Sequence, residues 1–327
     1  MGKPRFTIGL VVHPTADVTG SVGTMDRFIQ GYGGKLLART DDAARVGPTV
    51  ATVPAEGFVD RLDAIVSLGG DGTMLGAMRL AVGHATPVLG VNHGNLGFLV
   101  EVPPSGLGAA LERLVAGDYT LEPHSCLGLS GLHGASAPVH AFNDVVVTAS
   151  EQLRSVTVDL LVNGSRHGYY RGDAVVACTP IGSTAYNYAA GGPVVSPSAP
   201  TIALTPVAPM SGISRSVIFG GDDHVELHNP ADPSLRVIAD GSPVATLPRD
   251  ATLSLRLHRD AVHIVRFDAG VHERRNRVKL SLLDLPLRPD QLLELVPQPL
   301  RERAEQLRAE QLRAEAEEPA SGGFQPG

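Results

Sequence analysis

The chain has no tryptophan, two cysteines and 4% aromatic residues in 327 positions. Its cysteines, Cys126 and Cys178, share no metal-ligand spacing, which suits a reduced, cytoplasmic setting. Long apolar runs are also missing, and none approaches the ~18–20 residues that a membrane-spanning helix needs. The opening Met1-Gly2-Lys3-Pro4-Arg5 leads into Phe6–Val12 without a signal-peptide core, and Phe6 stands where a myristoylation signal wants Ser or Thr. Positive charge is in deficit as well. A formal net charge of −7 argues against general nucleic-acid binding and against a polybasic membrane patch. An anionic ligand would therefore need a local site.

Glycine, by contrast, is abundant, with 37 residues, as suits a globular chain rich in turns and backbone-mediated binding. The length is enough for two domains at ~100–200 residues each. From Arg5 to about Thr120 the pattern alternates strand and helix. Strands are expected at Phe6–Val12, Lys35–Ala38, Asp63–Leu68 and Pro87–Val91, with helices at Thr24–Tyr32, Met74–Leu80 and Leu107–Ala116. This predicts an α/β domain with a Rossmann-like parallel sheet over residues 1–120. Beyond Tyr119 short strands follow closely, and Asn163-Gly164 is a strong hairpin signal. Residues 121–265 are thus expected to form an antiparallel β-sandwich domain. A segment over 266–298 and a helical, partly disordered tail over 299–327 complete the expected organisation.

Three stretches carry chemistry. In Gly69-Gly70-Asp71-Gly72-Thr73, between strand and helix, three glycines leave the backbone open to a ligand, and the helix N-terminus favours an anion. One carboxylate, Asp71, sits inside that anion-friendly turn. It is either a helix cap, a role Thr73 would share, or a base awaiting a hydroxyl. A second glycine loop, Asn92 to Leu99, follows the next strand, so both loops should share one edge of a parallel sheet, within reach of His13 and His93. Asn143-Asp144 offers a donor–acceptor amide beside a carboxylate, a combination suited to a ribose diol but also common in turns. The third stretch, Tyr169 to Pro197, contains Arg171-Gly172-Asp173, then Thr179-Pro180-Ile181-Gly182-Ser183-Thr184-Ala185-Tyr186, then Gly191-Gly192-Pro193. Hydroxyls, a tight turn and an aromatic face in one loop can hold a nucleoside.

Together, GGDGT, GVNHGNLGFL over residues 90–99, Asn143-Asp144 and RGD…TPIGSTAY…AGGP resemble the NAD kinases in order and spacing, over roughly residues 5–285. The resemblance implies a nucleotide site in a cleft between the two domains. It further implies phosphoryl transfer from ATP or polyphosphate to the 2′-hydroxyl of the adenosine ribose of NAD, with a divalent metal such as Mg²⁺. On this basis Asp71 matches the general base, with nucleotide contacts at Gly70, Gly72, Thr73, Asn92, Asn143 and Asp144. Arg154, Arg171 and Asp173 fall at further contact positions, and Thr184, Ala185, Tyr186, Asn187, Tyr188 and Ala189 match the loop that wraps the nucleotide. Ser242, after Asp240-Gly241, stands where the family usually has Gln, and Met210 where it usually has His; methionine can neither donate to phosphate nor carry charge. Arg215 is retained, and Arg277-Val278-Lys279-Leu280 only echoes the family's closing motif. Composition suits a cytoplasmic chain without nucleic-acid or membrane partners, and the resemblance implies a homodimer or tetramer acting on small nucleotides. The glycine signature is shared with diacylglycerol- and sphingosine-type lipid kinases and with phosphofructokinases, and Met210 and Ser242 leave room for a non-catalytic NAD sensor.

Overall fold

The computed structural model describes residues 6–94, 99–100, 102–134, 138–150 and 155–268. The basic segment from His272, the repeat after Pro299 and Arg154 lie outside the described residues. Up to Phe267 the described chain forms one compact unit built on two sheets.

The first sheet begins as a parallel array in the order Ala51–Val53, Lys35–Arg39, Thr7–Val12, Ala64–Gly69, Val88–Asn92. Ala64 to Gly69 is buried at every position, as expected of a parallel strand covered on both faces. The helices Thr19–Tyr32 and Leu107–Ala116 pack on one face through Val22, Met25, Ile29, Leu107, Leu111 and Leu114. Helix Asp71–Ala81 buries Met74, Leu75 and Met78 in a separate core with Ile65, Val88 and Ile264. Strand order reverses between Thr7–Val12 and Ala64–Gly69, the kind of switch point at which open α/β sheets bind ligands. The glycine loop leaves the sheet there.

This sheet does not stop at residue 120. Strand Thr252–Arg266 adds to Val88–Asn92 through the Ile264–Val88 pair and also carries Thr120–Ser130 along its length. Antiparallel strands Val225–His228, Val156–Val162, Ser165–Gly172 and Ser211–Gly212 continue it. The second sheet is wholly antiparallel, in the order Val217–Gly220, Thr201–Val207, Ala174–Cys178, Asp144–Ala149, Leu235–Ala239, Ser242–Leu247. The two sheets enclose Leu127, Val145, Val147, Val158, Leu160, Tyr170, Val175 and Leu255. Val146, Ala174 and Val176 alternate to the opposite face of the second sheet, where they form a small apolar floor.

The expected elements recur with shifted borders. Asn163-Gly164 makes its hairpin with φ of 52° and 78°. Thr252–Arg266 is one long strand with a register shift between His258 and Val262, where Asp260 takes φ 49°. Strand Thr201–Val207 contains a proline, Pro206, near its end. The proline is tolerated because the outer neighbour pairs only as far as Leu204, so no partner needs its missing N–H.

One buried carboxylate ties the glycine-loop helix to the second sheet. Asp240 occupies a two-residue hairpin with Gly241, both at positive φ (45° and 78°). Its Oδ1 accepts the N–H groups of Asn143 (2.7 Å) and Asp144 (3.2 Å), and its Oδ2 accepts Phe142 N–H (3.0 Å) and Arg79 Nη1 (2.9 Å). Arg79 stands on helix Asp71–Ala81, eight residues after Asp71 and so about 12 Å along the axis. Asp240→Ala should destabilise the unit by on the order of 3 kcal/mol, because it strands three amides and a guanidinium. Urea denaturation of the two proteins measures this, and a loss below about 0.5 kcal/mol would refute the bridging role.

Candidate active site

The glycine loop is shaped by what its residues do not do. Gly70 is the N-cap of helix Asp71–Ala81, Asp71 is its first residue, and no side chain caps the helix. Asp71 is therefore not a cap. Its Oδ1 accepts the N–H of Leu99 at 3.0 Å, across the second loop. Gly69 is needed for packing, since a Cβ there would meet Thr73 Oγ1 at 2.2 Å. Gly70 and Gly72 are different: a Cβ on either would meet nothing within 4 Å, and Gly70 has ordinary extended backbone. Glycine costs helix stability. Its use at two positions that impose no steric need leaves the surface around Asp71 open to close approach by a ligand.

The two glycine loops lie side by side, as the strand order predicts. Gly69 pairs with Asn92, His93 N–H donates to Gly69 O at 3.1 Å, and a Cβ on Gly94 would stand 3.7 Å from Gly70 Cα. Asn92 Oδ1 accepts Gly94 N–H at 3.0 Å and so shapes the turn. His13 Nδ1 accepts the N–H groups of Thr15 (3.1 Å) and Ala16 (2.9 Å), which makes it a turn residue at the same edge. Burial lowers the His93 pKa, against a smaller opposing pull from Asp17.

On the second sheet, Asn143, Asp144, Ala185 and Tyr186 converge on one open cavity of about 500 Å³. Val146, Ala174 and Ile238 form its floor, and Thr148, Asp240 and Gly241 complete the lining. The loop that supplies Ala185 and Tyr186 is stitched to the Asn143 turn. Thr179 Oγ1 donates to Phe142 O (2.6 Å), Thr179 N–H to Asn143 O (3.0 Å), and Gly182 N–H to Thr179 Oγ1 (3.0 Å). Gly182 is obligatory, because its Cβ would lie 1.9 Å from Asn143 O. Asn187 is fully buried; its amide donates to Ser183 O and Pro193 O (both 3.0 Å) and accepts Thr205 Oγ1 (2.6 Å). Gly192 makes room for it, since a Cβ there would meet Asn187 Oδ1 at 2.2 Å. Asn187 therefore holds the loop's shape, and Thr184 Oγ1 likewise turns back to Ile181 O (3.1 Å). Tyr186 and Ala189 are exposed and Tyr188 is half-buried.

Asp144 is buried, and its pKa is raised to about 6. Loss of solvation is the main cause and the neighbouring Asp240 charge adds to it, partly offset by the Tyr186 backbone N–H. Arg171 and Asp173 are exposed at the end of strand Ser165–Gly172. Asp173 reaches the cavity rim through its carbonyl, which accepts Thr148 Oγ1 at 3.1 Å. The Arg171 carbonyl accepts Met210 N–H (2.8 Å), and the Met210 side chain is 63% exposed. Ser242 is exposed and, unlike Asp240 and Gly241, does not line the cavity. Asp71 is not in the cavity wall either; the Arg79–Asp240 pair ties its helix to that wall. Sequence reasoning missed Arg79 and the bridging role of Asp240. The Asp-Gly dipeptide signals a hairpin, but nothing local shows which amides its carboxylate meets. Cys126 and Cys178 are buried, and burial pushes both thiols up to about 12, so neither is a reactive thiolate. Among the described residues no helix is long and apolar enough to cross a membrane.

Two family models match the chain: the ATP-NAD kinase N-terminal domain over residues 48–119 and the ATP-NAD kinase C-terminal domain over residues 142–267. An NAD kinase of Heliobacterium modesticaldum is 41% identical over 209 residues, 61% of this chain and 74% of that protein. An NAD kinase of Gemmatimonas aurantiaca is 37% identical over 224 residues, 67% of this chain and 78% of that one. Among solved structures, yeast NADH kinase complexed with NADH is similar with a TM-score of 0.74 at 23% identity, over 88% of this chain and 90% of that one. An NAD kinase from Archaeoglobus fulgidus in complex with ATP gives 0.65 at 23% identity, over 85% and 99%. These structural likenesses establish the fold, and the closer sequence relatives carry the assignment further. The chain belongs to the NAD kinase family and is an enzyme that phosphorylates NAD.

Proposed function

We propose that the chain transfers a phosphoryl group from ATP or polyphosphate to the 2′-hydroxyl of the adenosine ribose of NAD, with Asp71 as general base. The observation that carries this reading is the Asp71 carboxylate itself. It is oriented by the Leu99 amide rather than spent on its own helix, and it is flanked by two glycines that leave it approachable. An alcohol is a poor nucleophile near neutral pH, so a carboxylate that accepts its proton as the new bond forms lowers the barrier. Glycine-loop amides and the helix N-terminus can meet phosphate charge.

In this reading the cavity of Asn143, Asp144, Ala185 and Tyr186 receives the nucleoside. Asp144 accepts hydrogen bonds from the ribose diol, Asn143 donates and accepts, and the exposed Tyr186 ring offers a stacking face. The family resemblance assigns Arg171 and Asp173, exposed at the end of strand Ser165–Gly172, to more distant parts of the dinucleotide. A divalent ion suits the glycine loop as one brought in with the donor's phosphates and held beside Asp71. Mg²⁺ is commonly held by one or two carboxylates plus phosphates, and among the described residues no three acidic, histidine or cysteine side chains gather to hold a metal alone. When bound, such an ion neutralises charge on the transferring group. Family resemblance also supports a cytoplasmic homodimer or tetramer, and a division into two domains near residue 120.

Purified protein with NAD, Mg²⁺ and either ATP or polyphosphate, scored for NADP, tests the reaction and its donor. In that assay Asp71→Asn should lower turnover by roughly 10²–10⁴-fold while the circular dichroism spectrum stays that of the parent. Near-parental NADP formation would remove Asp71 from the role of base.

The raised Asp144 pKa gives a second expectation. Only the ionised carboxylate accepts both diol protons, so NAD should bind more tightly as pH rises through about 6 and level off above it. Folding responds in the opposite sense. A pKa raised from 3.8 contributes stability that is present below that value and lost as pH rises through about 6. Calorimetric NAD titrations from pH 5 to 8 check the binding limb, which Asp144→Asn should flatten; a parent affinity independent of pH would refute it.

A further inference from the structure

Leu99 is gripped at both of its backbone polar atoms. Its N–H donates to Asp71 Oδ1 (3.0 Å), and its carbonyl accepts Arg266 Nη1 (3.0 Å). The chain just after it is docked on strand Val88–Asn92, with Asn92 N–H donating to Val102 O (2.8 Å) and Val102 N–H to Gly90 O (3.2 Å). Gly90 permits that close approach, because a Cβ there would meet Val100 Cγ1 at 2.8 Å and Met74 Sδ at 3.2 Å.

Arg266 is the last residue of strand Thr252–Arg266 and is 5% exposed. Its Nε donates to Glu122 Oε2 on the paired strand Thr120–Ser130, and His124 Nε2 stands 3.1 Å from Glu122 Oε1. Burial alone would raise the Glu122 carboxyl. The His124 hydrogen bond and the Arg266 charge outweigh it and hold the group at about 2, so the carboxylate stays ionised at neutral pH. A guanidinium presents donors in a rigid planar fork, so one side chain holds a carboxylate through Nε and a carbonyl through Nη1 at once; a lysine ammonium lacks that fork.

We propose that Arg266 is a positioning residue for the phosphoryl transfer: anchored by Glu122, it holds Leu99 so that the Leu99 N–H orients the Asp71 carboxylate. The proposal rests on the reading of Asp71 as base. It explains why a nearly buried arginine at the end of a long strand spends one donor on a loop carbonyl 167 residues earlier in the chain. Misplacing a reacting group by a fraction of an ångström to 1 Å slows a reaction without abolishing binding.

The test uses the full chain carrying Arg266→Lys, which keeps the positive charge beside Glu122 but loses the fork. We expect kcat to fall on the order of ten- to a hundredfold while the calorimetric NAD dissociation constant stays within about twofold of the parent. A folded Arg266→Lys protein with parental kcat overturns the proposal. So does one in which kcat and NAD affinity fall together with the cooperative thermal transition, since that marks a purely structural ion pair. If Arg266→Lys does not fold, the same readings are taken on Glu122→Gln, which loosens Arg266 without touching Leu99, and failure of both to fold also overturns it. Asp71→Asn, measured alongside, separates the two claims. Near-parental activity there removes the base and the relay together, whereas an inactive Asp71→Asn beside a fully active Arg266→Lys removes the relay alone.

Discussion

The contact between Arg79 and the buried carboxylate of Asp240 is the constraint on which the site's geometry depends. The Asp240 side chain has no solvent exposure and could not be tolerated there without partners, because an isolated buried charge costs far more than a typical hydrogen bond returns. Three backbone amides and one guanidinium satisfy it. Because those amides belong to Phe142, Asn143 and Asp144, the same interaction fixes the turn that lines the cavity with Ala185 and Tyr186. Because the guanidinium belongs to helix Asp71–Ala81, it also sets the distance from that turn to the glycine loop. A second carboxylate–guanidinium pair, Glu122 with Arg266, braces the glycine loop through Leu99. Both pairs link residues far apart in sequence, which is how a fold fixes a glycine loop and a cavity turn from different segments relative to each other.

The raised pKa of Asp144 is a consequence of that design. Holding Asp144 away from water, and secondarily beside the Asp240 charge, makes its ionised form unfavourable. Such a group gains most when a ligand hydroxyl comes to share its charge, so a site of this kind gives up stability in the empty protein and recovers it on binding. The glycines show the same balance. Gly182, Gly192 and Gly69 are demanded by packing, whereas Gly70 and Gly72 are not, and the open surface they leave lies around Asp71.

Much of this was legible in the chain. Strand–helix alternation located the parallel sheet, the turn chemistry of Asn163-Gly164 located a hairpin, and two glycine loops after consecutive parallel strands had to share an edge. Legibility failed where a residue's partner is remote. Arg79 reads as an ordinary helix-end cation and Asp240 as a hairpin residue, and Pro206 concealed a strand whose open side was invisible locally. Asn187 reads as one more polar residue in a nucleoside loop, yet its amide is consumed by Ser183, Pro193 and Thr205.

The amino-acid sequence by itself determined the family, the two kinds of sheet and the segments that carry chemistry, because periodicity, turn residues and short motifs are local properties of the chain. That Gly70 and not Asp71 takes the cap position of the helix was decided only by tertiary structure, which also brings the Leu99 amide to the Asp71 carboxylate. The single sheet running through residue 120, the Asp240 bridge and the Arg266 brace were decided there too. Each is a pairing of groups separated by many residues, and only the completed packing specifies which distant donor meets which buried acceptor.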